Sequence, residues 1–485
     1  MKMNLRTITL SAGLALVVFG AQAGDVNVQG NLGVNSNLTA QSISLGGQTR
    51  TNWNSLPLQG YKYVTVTEGT NDVHRGNNLR VAYSTATTLG PTASNRVAVI
   101  VPPGTYNLGA TGLTMNTSYV DLIGLVPAQM TSRQVFNDTA GRNHAKTVAN
   151  IQCLARIYSS AGGSSGTIVQ TADNVRIESV SLSNTLGGIS YYPSVSGSNT
   201  VMQHVSMVSM RNSVEYGGQY VDCMCADSGF GFNGTASGVF IDCVGGLLSF
   251  AGVGTASGVF TRCAAGDSSF GSHGTASGTF MDCVGGWGSF GGGEDEDGLA
   301  SGTFIDCVGG DLSYGTGSDA SGTFIRCVGG YSSFGWGSAS GTFTDCIALD
   351  WSFGPESASG TFTRCVAGGH SFSAYYGSAS GTFIDCVGGD NCFGGDAGSA
   401  SGTFIDCVAG YDSFGAYGTL ATTAKLQHCK ALNYSFGNFI EASDDFNYNV
   451  GGAHTFLMLP NLPTSTNSLP SGSVWNSSGT LKIVP

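Results

Sequence analysis

Charge is what this sequence most conspicuously lacks. Only 10 % of its 485 residues are Asp, Glu, Lys or Arg, and 31 acidic residues outnumber 19 basic ones, for a formal net charge of −12. Without basic clusters, the chain has no electrostatic footprint for nucleic acid or an anionic membrane. Histidine is sparse too, and the seven present have no metal-ligand spacing. No G-x-S-x-G, phosphate-loop or H-E-x-x-H motif occurs. After residue 23 there is no run of about 18 apolar residues, the length a bilayer-spanning helix needs. Helix formers are thin in the C-terminal half, where Gly, Ser, Thr, Phe and Val favour strands and turns.

Residues 1–23 read as a secretory leader. Lys2 and Arg6 make a basic start, Ile8 to Phe19 an apolar stretch, and Ala21-Gln22-Ala23 a small-residue cleavage site. No Cys follows that site, so no lipid anchor is expected there. The mature chain is expected to be exported and soluble, at the cell surface or outside the cell.

What the chain has is a repeat. Eleven cysteines, from Cys223 to Cys429, are spaced by 20, 20, 20, 24, 20, 19, 19, 21, 21 and 22 residues. Each is followed seven positions later by an aromatic residue, from Phe230 to Phe436. A second Phe stands three before Cys in nine units, Phe240 to Phe404. A fixed core with a variable gap means one coil per repeat, stacked in one dimension. The consensus A-S-G-T-F-I-D-C-V-G-G-x-x-S-F-G puts Phe and Cys three apart, on opposite sides of a regular strand. A bend at the intervening Asp or Arg lets both point inward. Ala, Gly and Phe then face in, and Ser, Thr and Ile out. About fifteen coils would make a rod roughly 70 Å long.

Fourteen cysteines in an exported chain ordinarily mean disulfides. Stacked rungs about 4.8 Å apart carry parallel side chains, whereas a disulfide needs Cβ atoms about 3.8 Å apart and crossed. The ladder therefore reads as buried thiols packing as small apolar groups. Cys153, Cys225 and Cys392 lie off it.

Residues 76–90 are the best helix candidate, with Leu79, Ala82, Tyr83, Ala86 and Leu89 on one face and Gly90-Pro91 as a stop. Then come RVAVIVPPGTY and, at 119–125, YVDLIGL. An amphipathic helix, a strand ending in PPGTY and a V-x-L-I-G strand together resemble the first coils of the pectin-lyase-like superfamily. That resemblance implies an all-β, right-handed parallel β-helix of roughly 20-residue coils, with the helix covering the first coil. The segment GDVNVQGNLGVNSNLTAQSISLGGQTRTNW resembles the stalks that precede β-helices in phage tail-spike and surface proteins. The last residues, LPTSTNSLPSGSVWNSSGTLKIVP, resemble C-terminal hairpins of virion and bacterial surface proteins. The expected organisation is a leader (1–23), a stalk-like segment (24–60), irregular coils (61–219), regular Cys/Phe coils (220–440) and a C-terminal cap (441–485).

Several columns could carry function. The position before Cys reads Asp222, Asp242, Arg262, Asp282, Asp306, Arg326, Asp345, Arg364, Asp385, Asp406 and His428. Asp282 and Asp306 are the candidate catalytic carboxylates of a polysaccharide-cleaving enzyme. Alternatively, the column is a solvated turn in which Arg relieves repulsion between stacked Asp. Four residues after Cys, Trp287, Tyr331 and Tyr411 mix with Asp267, Asp311, Asp350 and Asp390. Aromatics stack on sugar rings and carboxylates accept from hydroxyls, so this is a candidate glycan-binding strip, or else ordinary turn variation. The insertion edge adds Trp336, Tyr375, Tyr376 and Tyr417. It also holds Glu294, Asp295, Glu296 and Asp297, a candidate Ca²⁺ site or a solvated loop. The Ser-Gly-Thr column lays hydroxyls on a regular lattice, similar in kind to ice-binding solenoids, or a face suited to solvent or a partner chain.

Two functional expectations follow. One is a non-enzymatic surface rod of tail-spike or adhesin type, binding a polysaccharide and needing no cofactor. The other is a polysaccharide lyase or hydrolase. A homotrimer packed through one flat face is compatible with both.

Overall fold

A computed structural model describes residues 62–436, apart from 138–143, 163–164, 194–198, 208–214, 294–297, 316–318, 375, 396, 417, 422 and 433–434, together with short strands outside that range. The described chain is a right-handed parallel β-helix. One face is a sixteen-stranded parallel sheet running from Lys62–Thr65 through Val97–Val101, Val120–Gly124 and Arg176–Glu178 to Lys425–Gln427. A second face begins as five strands, Gly104–Asn107 to Met224–Cys225, and continues through the repeats as single-residue bridges from Met224↔Val244 to Val408↔Lys430. A third face is three-stranded in the early coils and ten-stranded from Thr235–Ala236 to Thr419–Leu420.

The helix, α1, spans Asp72–Thr88. It starts four residues earlier than its apolar face suggested, because the Asn71 side chain caps the backbone N–H of His74 at 2.8 Å. Leu79, Ala82, Tyr83 and Ala86 are buried against the first coils, and Leu89 caps the C-terminus. The expected bend exists in every regular coil. The residue before Cys has a left-handed backbone, with φ between 49° and 55° from Asp222 to His428. Asp tolerates that conformation better than most residues.

The second ring of each coil, from Phe230 to Phe436, is also left-handed, with φ between 51° and 68°. Such a conformation costs a bulky residue about 1–2 kcal/mol. Burial of each ring returns about 1.5–3 kcal/mol, and ring pairing about 0.5–1.5 kcal/mol more, so packing wins. The two aromatic columns are fully stacked. Phe304 and Phe324 lie 4.8 Å apart and 2° from parallel. Between the columns, rings meet edge to face, as Phe324 does Phe334 at 5.5 Å and 88°.

All fourteen cysteines are free and buried. In nine of the eleven ladder cysteines, Cys243 to Cys346 and Cys386 to Cys429, the Sγ–H donates to the carbonyl of the preceding coil's ring residue, as Cys263 does to Phe240 at 3.4 Å. Burial pushes the thiols of Cys243, Cys263, Cys307 and Cys365 well above the ordinary range. Because all fourteen sulfurs are buried, the native protein is expected to react scarcely at all with a thiol reagent, and all fourteen thiols to react in denaturant; a rapid native reaction of several thiols would contradict the packing.

One inward-facing element escaped the pattern. The serine before the second ring is buried, not outward, in coil after coil. Its Oγ accepts the backbone N–H of its counterpart one coil earlier, at 3.1 Å from Ser249 to Ser269. This places Cys392, which stands in the serine column: Ser371 N donates to its Sγ at 3.4 Å, and Cys392 N donates to Ser413 at 3.2 Å. Cys225 is the mirror case. It stands where other coils have Gly or Ala, and Gly229 stands where they have Ser, so the two sizes exchange; a Cβ on Gly229 would run into the Cys225 sulfur. Cys153 bonds instead to the His204 carbonyl at 3.3 Å.

Most of residues 1–23, where a leader is expected, and most of the stalk-like segment lie outside the described residues. At the C-terminus Val474–Ser477 pairs antiparallel with Thr480–Ile483, the hairpin expected there.

Candidate functional site

The residues before Cys turn outward at the left-handed bend and form bidentate ion pairs between coils. Arg262 grips Asp242 at 2.7 and 2.8 Å, Arg326 grips Asp306 at 2.6 Å twice, and Arg364 grips Asp345 at 2.6 and 2.9 Å. His428 lies 3.1 Å from Asp406. Hydrogen bonds from Arg326 hold the Asp306 carboxyl below the usual range, the wrong direction for a general acid. Asp282, one coil earlier, is likewise exposed. Asp242, Asp306 and Asp345 are thus each compensated by an arginine of the next coil.

The mixed column four residues after Cys has an order that residue type alone does not explain. Asp alternates with another residue, coil by coil, from Asp227 and Leu247 to Asp390 and Tyr411. The structure gives the reason. Each Asp accepts the backbone N–H of the next coil's residue through Oδ1, at 2.9 Å from Trp287 to Asp267, 2.7 Å from Tyr331 to Asp311, 2.9 Å from Gly369 to Asp350 and 2.7 Å from Tyr411 to Asp390. The bonded residue needs no carboxylate of its own and is free to be aromatic. Tyr331 and Tyr411 are 43 % and 45 % exposed, Trp287 is half-buried, and Trp336 at the insertion edge is 49 % exposed. Aromatic positions two coils apart are separated by about 9.6 Å.

Sequence reasoning missed the apolar column beside this strip. Three residues before each strip position, Ile347, Val366, Val387 and Val408 follow their cysteines and are 40–50 % exposed. Nearer the N-terminus the same column is covered: Val244 and Ala264 are buried, with Met224 packed against them. The signal was available, since the residue after Cys is β-branched from Val284 to Val408.

A second locus lies in the irregular coils. On the outward side of the long sheet, where later coils carry Thr and Ile, Asp121 is fully buried and held bidentately by Arg96, and it also accepts from Arg176 N at 2.8 Å. Arg176 pairs with Glu178 at 2.8 Å and donates to Gln203 at 3.1 Å. His204 faces Asp222 at 3.5 Å. This is a local, half-buried cluster of charge at the junction with the regular coils, and its His204–Asp222 pair has a counterpart in His428–Asp406. The sequence showed it only as charged residues interrupting otherwise apolar strands.

The acidic run Glu294, Asp295, Glu296 and Asp297, together with Tyr375 and Tyr417, lies outside the described residues. Among the described residues no group of three or more His, Cys, Asp or Glu is placed to hold a metal ion.

No protein-family model matches the sequence, and no curated protein is recognisably similar to it. One similar solved structure is the A-module of Azotobacter vinelandii mannuronan C-5 epimerase AlgE6, at 10 % identity, covering 81 % of this chain and 96 % of that one, with a TM-score of 0.20. The fold stands on the strand pairing above and not on that likeness.

Proposed function

We propose that this chain is an exported, non-enzymatic β-helix rod that binds a polysaccharide along the corner carrying Trp287, Tyr331 and Tyr411. The observation that carries this reading is that the positions alternating with carboxylates that bond coil to coil include the exposed Tyr331 and Tyr411 and the half-buried Trp287, with the open column Ile347, Val366, Val387 and Val408 along the later coils. Ring faces and branched aliphatics suit the apolar faces of sugars, and flanking oxygens suit their hydroxyls. The regular geometry suits a polymer better than a single small molecule.

A second reading, a polysaccharide lyase or hydrolase of the pectin-lyase-like kind, draws support from the charged group around Arg176, Glu178, His204 and Asp222. A catalytic site is local, and that group is local.

One experiment separates them. The mature protein is incubated with a polysaccharide panel, with and without Ca²⁺, and both retention and newly released chain ends are read. Retention without new ends is expected, with a Tyr331→Ala/Tyr411→Ala variant binding about tenfold more weakly, the combined effect of losing two ring contacts. New chain ends, abolished by Glu178→Gln, would replace the binding rod with the enzyme.

A further inference from the structure

The long sheet is nearly flat through the regular coils. Strands in ordinary sheets rotate by roughly 20–25° from one to the next. Here successive rings beneath the sheet, from Phe240 to Phe404, differ by only 2–3° while their centroids stay 4.7–4.9 Å apart. Parallel ring stacking at the strand spacing goes with a nearly untwisted sheet. What stands on the outside of the sheet is therefore a plane, not a propeller.

That plane is uniform in a way the core does not require. Seven threonines pair in register from Thr279 to Thr403, one per coil. Two residues along each strand, about 6.7 Å away, runs a column of Met, Ile and Thr that includes Thr344 and Thr363. Insertions of coil length fall at another corner, so the array is unbroken over about 29 Å. Its side chains are mostly β-branched and stiff at χ1.

Charge marks the plane off from its surroundings. Residues 220–436 hold 20 acidic side chains against five Lys and Arg, yet no strand of this face from Val239–Ile241 to Thr403–Ile405 carries a charge. A neutral, planar lattice of hydroxyls and methyls, on an otherwise acidic rod, matches a neutral planar partner of similar repeat. It bears no aromatic ring or carboxylate for a sugar, since those lie at the corners.

We infer that this face binds the surface of ice, with the threonine hydroxyls joining the water lattice and the methyl groups seated between its rows. This face is separate from the glycan strip, and the inference does not depend on that reading.

The test uses the mature full-length chain, measuring inhibition of ice recrystallisation, freezing hysteresis and adsorption of fluorescently labelled protein to an ice surface. Wild type is expected to adsorb and to inhibit recrystallisation. Thr342→Lys/Thr361→Lys, two exposed positions, is expected to abolish both, with the circular dichroism spectrum unchanged. Tyr331→Ala/Tyr411→Ala, on the other corner, should leave both intact. A wild type that neither adsorbs to ice nor slows recrystallisation overturns the inference, as does full activity in the lysine variant. Retention on crystalline chitin or cellulose, lost in the lysine variant without any effect on ice, would reassign the plane to a solid polysaccharide. Self-association in sedimentation, lost in the same variant without any effect on ice, would reassign it to a second copy of the chain.

Discussion

Replacing Phe324 with alanine is expected to destabilise the rod by about 3–5 kcal/mol. The ring is fully buried and stacks on Phe304 at 4.8 Å and Phe343 at 4.7 Å, with edge contacts to Tyr314 at 5.8 Å and Phe334 at 5.5 Å. Simple burial accounts for about 1.5–3 kcal/mol; the rest comes from a cavity that neighbouring coils cannot close without breaking register. Urea unfolding followed by far-ultraviolet circular dichroism measures it. Because each coil contacts only its neighbours, a mid-rod defect also weakens the coupling between its two sides. The variant should therefore melt over a broader range than wild type. A loss under about 1 kcal/mol would mean that the column is not the core.

The second large effect is expected at Arg96. Asp121 is fully buried, and Arg96 supplies the opposite charge. Arg96→Met leaves that carboxylate in place without its cation, which typically costs about 3–5 kcal/mol. The damage should concentrate in the first coils beside α1, so hydrogen exchange there reports it better than a global melt. Replacing both partners, Arg96→Met/Asp121→Leu, should recover most of the loss, since removing a whole buried pair is often nearly neutral. If the double variant is as unstable as the single one, the arginine's packing matters more than its charge.

These two sites differ in how readable they were. Phe324 belongs to a column that announces itself by repetition, and spacing alone placed it inside. The bend before Cys was legible because two inward columns three residues apart admit few other backbones. The serine column was misjudged because composition treats a hydroxyl as outward-facing; only the coil-to-coil bond to the next Oγ explains its burial. Arg96 and Asp121 were silent, since they occur once and no period marks them. The candidate site was half legible in the same sense. Trp287, Tyr331 and Tyr411 stood out by residue type, whereas the reason they alternate with Asp lies in hydrogen bonds between coils that no single repeat contains.

The near-absence of twist also bears on how such a gene can change. Nearly every regular coil meets its neighbours through the same two rings, thiol and serine, at the same spacing and almost without rotation. A whole coil copied or lost by slippage during replication would present identical surfaces above and below, so the flanking coils would rejoin without a new interface being invented. Rod length is then a heritable variable that can drift separately from fold stability. Each added coil would extend the threonine plane and one edge of variable loops together, so reach and surface area would change in whole steps.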